Sequence, residues 1–141
     1  MTTIERRDLW WPGFVIGLLV VGIALRAGLI LAGRLAVANS TDFINQLDLH
    51  ETYLLWSLPV VAACGGLAVG LTPRRLGGNG WNAFVTALPP CLAIVGVRNQ
   101  LTVSETAWQF VLVFGLSHLG WRLGRFLSTL GRRLAGKEPS L

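Results

Sequence analysis

The stretch "PGFVIGLLVVGIALRAGLILAGRLAV", residues 12–37, is apolar almost throughout, yet it carries Arg26 and Arg34. At 1.5 Å per residue it exceeds the ~20 residues needed to cross ~30 Å of hydrocarbon. Its reading decides the fold, because a helix that is apolar on every side fits a membrane and not the surface of a small soluble domain. Working outward, three further apolar segments follow at 53–71, 81–97 and 108–123. Between them lie "ANSTDFINQLDLHET" (38–52), "PRRLGGNG" (73–80) and "RNQLTVSET" (98–106), all polar or rich in turn residues and expected as loops.

Composition agrees with this reading. The chain has 141 residues, 52% hydrophobic and only 13% charged, against about 25% charged in an ordinary soluble domain. The expected fold is all-α: an integral membrane bundle of four transmembrane helices (about 11–37, 53–71, 81–97 and 108–123) filling residues 1–127. A basic amphipathic tail, 128–141, completes it. The apolar start is longer than a secretory signal and is interrupted by arginine, so the first helix is expected to stay in place despite the A-x-A pattern at Ala36, Val37 and Ala38.

Orientation follows from the basic residues. Arg6, Arg7, Arg74, Arg75, Arg122, Arg125, Arg132, Arg133 and Lys137 flank one side, whereas 38–52 holds Asp42, Asp48 and Glu51 and no Lys or Arg. The positive-inside rule then puts both termini in the cytoplasm of a multi-pass plasma or inner membrane protein. All six tryptophans (Trp10, Trp11, Trp56, Trp81, Trp108 and Trp121) fall near a span boundary, where an amphipathic indole is favoured.

The charges inside the spans carry the functional question. Arg34 lies where the first helix leaves the hydrocarbon and can snorkel to the headgroups. Arg26 lies ~12 Å deeper, too far for a side chain of that length to reach the surface easily. No carboxylate is available at that depth, since Glu5, Asp8, Asp42, Asp48, Glu51, Glu105 and Glu138 all lie outside the spans. Its candidate partners within the chain are Ser57, Asn99, Gln109, the carbonyl of Leu55, freed because Pro59 lacks an N–H, and Glu51 or Glu105 folded inward from the loops. Outside the chain they are a lipid phosphate, an anion or another protein. Arg26, Arg34 and Arg98 together suggest a basic outer vestibule, and His118, one turn before Trp121, a polar group near the inner exit; these four are the candidate anion or partner contacts.

Other motifs point to packing. Ala62, Gly66 and Gly70 recur at spacing four, as do Gly120 and Gly124, so each helix offers a groove for another backbone. Pro89 and Pro90 free the carbonyls of Val85 and Thr86 and are expected to kink or unwind the third helix. Cys64 and Cys91, mid-span and without C-x-x-C spacing, read as packing residues. No metal-ligand spacing joins His50, His118 and the cysteines, and the spans hold no catalytic carboxylate pair or Ser/His/Asp set, so neither metal, cofactor nor enzyme activity is expected. The segment "RLGRFLSTLGRRLAGK" puts Leu123, Phe126, Leu127, Leu130 and Leu134 on one face, a design suited to an anionic leaflet rather than to nucleic acid.

Gly33-Arg34, the proline-bearing segment ending "AIVGVR" and "LGWR" (119–122) resemble an uncharacterised family of short four-helix membrane proteins of actinobacteria and haloarchaea. The resemblance implies the helix count and a prokaryotic inner membrane, and no activity. The function expected is therefore a structural or interaction subunit that packs with itself or with a partner complex in the bilayer. The alternative is a transporter or channel component for a small anion that uses the outer arginines.

Overall fold

The computed structural model describes residues 9–96 and 101–136. Among them the regular structure is entirely helical: α1 (Trp11–Asn39), α2 (Phe43–Leu71), a 3-10 turn (Arg74–Leu76), α3 (Gly80–Thr86), α4 (Leu88–Gly96) and α5 (Val103–Ala135). The segments α3 and α4 are the halves of one apolar helix interrupted at Ala87, so four helices pack together. The break is the one expected from Pro89 and Pro90, which cannot donate to the carbonyls a turn earlier. Ala87 bonds back to Phe84 O at 3.1 Å instead, and the helix resumes with Cys91 N to Ala87 O at 3.2 Å.

Three boundaries differ from the sequence expectation: the starts of α2 and α5 and the end of α5. α2 begins at Phe43, ten residues ahead of Tyr53, so the 38–52 loop shrinks to a turn around Ser40, Thr41 and Asp42. Asp42 caps it by accepting from Ile44 N at 3.4 Å, and Gln46 donates to Ser40 O at 2.8 Å. Hydropathy marks hydrocarbon depth, not helix, and a polar helical turn outside the apolar zone escapes it. The second difference is the tail, which continues α5 without interruption to Ala135. At its other end α5 starts on a reciprocal capping box: Glu105 N donates to Thr102 Oγ1 at 3.3 Å, and Thr102 N donates to Glu105 Oε2 at 2.8 Å. These hydrogen bonds from Thr102 hold the Glu105 carboxyl below its ordinary pKa.

The packing register gives the topology. Gly17 lies against Val69, Val21 against Gly65 and Gly28 against Ser57, so α1 and α2 run antiparallel. Gly66 meets the backbone of Ser117, and Gly70 meets Trp121 and Gly124, so α2 and α5 run parallel. The chain must therefore cross back through Gly80–Gly96 between them. Trp11 and Ala135, near the two ends of the described chain, consequently lie at the same end of the bundle.

α2 is the hub, packed by α1, by the broken helix and most extensively by α5. Its apolar window is 50% buried, whereas that of α1 is only 11% buried. The interior is small and hydroxylic: Gly17, Ala32, Ala36, Ala62, Gly66, Gly120, Thr86 (0% exposed) and Ser117 (1%) are buried. Large apolar side chains face outward instead, with Ile23 and Leu92 each 71% exposed. A soluble protein buries its largest apolar side chains. Around the hub a modest core of Leu55, Leu58, Ala87, Cys91, Ile94 and Val113 fills the middle.

Candidate functional site

The candidate residues separate once the helices are in place. Arg26 is exposed about halfway along α1, roughly 20 Å from either end at 1.5 Å per residue. Its neighbours one turn away, Ile23, Leu29 and Ile30, are exposed as well, so the guanidinium emerges from an apolar face. Among the described residues it has no hydrogen bond or ion pair. Of the expected internal partners, Ser57 is engaged elsewhere: its Oγ donates to Leu54 O at 2.7 Å and packs beside Gly28. Gln109 lies on α5 in a cleft with Thr52, Trp56, Glu105 and Trp108, and its Oε1 is buried without a hydrogen bond among the described residues. Asn99 and Arg98 fall outside the described residues.

Arg34 is likewise exposed on α1. Neither arginine is drawn into the bundle interior, so the vestibule expected from Arg26, Arg34 and Arg98 is not assembled by the described residues. His118 is exposed on α5, with its ring 5.2 Å from that of Trp121. It borders an apolar groove with Val111, Gly115, Leu119 and Arg122.

The small-residue grooves do meet each other. Gly66 and Gly70 of α2 lie against α5, where Gly120 touches the Ala63 carbonyl and Gly124 that of Leu67. A methyl group at any of these four would overlap backbone, the close approach that small-residue spacing permits. Ala62 lies one turn earlier, in the core at 1% exposure. Ser117 fixes the depth of α5 by donating to the Ala83 carbonyl at 2.8 Å, a carbonyl that also accepts from Thr86 Oγ1 at 2.9 Å.

Sequence reasoning missed two constellations at the Trp11 end. The first is Asn82, 2% exposed, whose Nδ2 donates to Trp10 O and to Gly77 O, each at 2.8 Å. It ties the start of α1 to the 73–79 turn, in which Gly77 adopts φ +92°, a conformation glycine accepts freely. The signal was present in "NGWN", since Asn79 caps α3 by accepting from Asn82 N at 2.8 Å.

The second is a basic cleft of about 560 Å³ lined by Pro73, Arg74, Arg75, Arg125, Ser128 and Arg132. Arg125, Ser128 and Arg132 follow one another at helical spacing on the face of α5 turned toward the 3-10 turn. Partial burial, with the like charges of Arg74 and Arg132, lowers the Arg125 pKa from its ordinary value. It remains a cation at neutral pH, because that ordinary value lies far above 7. The described carboxylates Asp42, Asp48, Glu51 and Glu105 all lie toward the opposite end of the bundle.

No family model matches the chain, and no curated protein or solved structure matches it.

Proposed function

We propose that this chain is a multi-pass membrane protein with both termini on the cytoplasmic side, acting as an interaction subunit that packs with a second copy or a partner complex. Two helices are long and apolar enough to cross a membrane, and Gly80–Gly96 is a shorter apolar helix. The many large apolar side chains exposed on the outer faces, over a helix contact lined by small residues, support lipid as the surrounding solvent. Gly13, Gly17 and Val21 of α1 are buried against the rest of the bundle while its apolar window is only 11% buried, which supports reading α1 as a packed span.

The observation that carries the interaction reading is Arg26. A central, lipid-facing arginine costs roughly 2.5 to 3.5 kcal/mol. Its exposed position on α1, with Ser57 turned back to its own helix, supports an acceptor on another chain as the group that would offset that cost. The anion-transport alternative draws no comparable support, because Arg26 and Arg34 point away from the bundle.

The test is native mass spectrometry in mild detergent on the wild type and Arg26→Leu. The wild type should appear as an oligomer or with a co-purifying chain, and the variant as a monomer whose bundle is as stable as before, or more stable by up to ~3 kcal/mol. A wild type that is strictly monomeric and free of partners overturns the reading.

A further inference from the structure

We infer that the cleft formed by Arg74, Arg75, Arg125 and Arg132 is a binding site for the phosphate of an anionic phospholipid headgroup. Four guanidiniums converge on one concavity from two parts of the chain about 50 residues apart, the turn after α2 and the last turns of α5. Like charges gathered in this way repel one another, and planar guanidinium donors match phosphate oxygens in bidentate geometry. The Ser128 hydroxyl, on the same wall, adds a donor, and the Arg132 guanidinium is anchored by Nε donating to Ser128 O at 3.3 Å. A volume of about 560 Å³ suits a headgroup rather than a bare ion.

A lipid is favoured over a soluble phosphate by what surrounds the cleft. It opens two residues beyond the end of α2 at Leu71, itself 48% exposed, so that apolar surface adjoins the arginines. Apolar surface of this kind suits the acyl chains of a molecule whose headgroup sits among the arginines. The inference rests on the membrane reading above, but not on the partner of Arg26.

The experiment uses the full chain, purified in mild detergent and stripped of lipid, with bound phosphatidylglycerol and phosphatidylcholine counted by native mass spectrometry. The wild type should retain phosphatidylglycerol in preference to phosphatidylcholine. The pair Arg74→Gln with Arg75→Gln, and separately Arg125→Gln with Arg132→Gln, should each weaken that retention about thirtyfold, the loss expected for two basic contacts. Arg122→Gln, which removes a charge on the same helix outside the cleft lining, should not change it. Gel filtration and far-UV circular dichroism identify a variant that has failed to fold, and the corresponding Arg→Lys pairs, which keep the charge, then give the comparison, with retention at least partly restored. Equal retention in all variants, or equal loss in Arg122→Gln, overturns the site. Displacement of the lipid by inorganic phosphate at equal concentration overturns the lipid in favour of free phosphate. Resistance of the wild type to carbonate extraction from membranes is measured separately, so that failure of the membrane reading is distinguishable from failure of the site.

Discussion

Asn82 holds more of the molecule together than its size suggests. Its amide donates to two carbonyls, Trp10 O and Gly77 O, from separate parts of the chain, and it is almost fully buried while doing so. Replacing it by leucine keeps the branched shape and removes both bonds, although Gly77 O still accepts from Asn79 N at 2.9 Å, so each lost bond costs about 0.5 to 1.5 kcal/mol. Asn82→Leu should therefore destabilise the bundle by about 1 to 3 kcal/mol, read as a lower thermal midpoint in detergent. Protease sensitivity should rise between residues 72 and 80 first. An unchanged midpoint would mean that water satisfies the two carbonyls. Arg26 is the converse case, a polar residue whose anomaly was legible from its depth alone. What the sequence left open was direction: only the α1–α2 register turns the guanidinium away from Ser57.

At the scale of elements, the parallel packing of α2 on α5 depends on four glycines that admit no side chain. Gly120→Val would drive a branched side chain into the Ala63 carbonyl and the Leu67 amide, and Gly66 opposes the backbone of Ser117 with as little room. Overpacking of this sort typically costs about 1 to 3 kcal/mol, more where only backbone can yield. Gly120→Val should thus loosen α5 from α2 and break the Ser117 to Ala83 hydrogen bond, measured as a lower melting temperature and faster amide exchange in 113–124. Gly115→Val should be tolerated within the bundle, since open space surrounds Gly115. The spacing of these residues was readable in the sequence, as was the proline break. The early start of α2 was not, because Phe43 to Thr52 is polar enough to resemble a loop while its cap, Asp42, is a local signal that hydropathy ignores. The capping box of α5 was written as T-x-x-E at 102–105, inside a segment expected to be a loop.

For the whole molecule, the antiparallel α1–α2 pair and the parallel α2–α5 pair bring the start of α1, the 73–79 turn and the end of α5 to one end of the bundle, with Ser40 to Asp42 at the other. Under the membrane reading, cysteine substitutions at Thr41 and at Ser128 should react with impermeant maleimide from opposite sides of sealed vesicles. The native Cys64 and Cys91 should stay unlabelled, Cys91 being buried and both lying mid-helix. Labelling of both new sites from one side would reject the topology. The basic cleft belongs to this scale too: each arginine was visible as part of a positive flank, but their convergence is a product of tertiary register. The helices are also unequal. α1 and α2 have 29 residues each, or about 43 Å, whereas Gly80–Gly96 covers only about 25 Å even if straight. Under the membrane reading, a bilayer around this bundle would meet a taller apolar wall at α1 than at α3 and α4, and would thin locally beside the shorter one. Such hydrophobic mismatch would orient neighbouring proteins around the bundle before any specific contact is made.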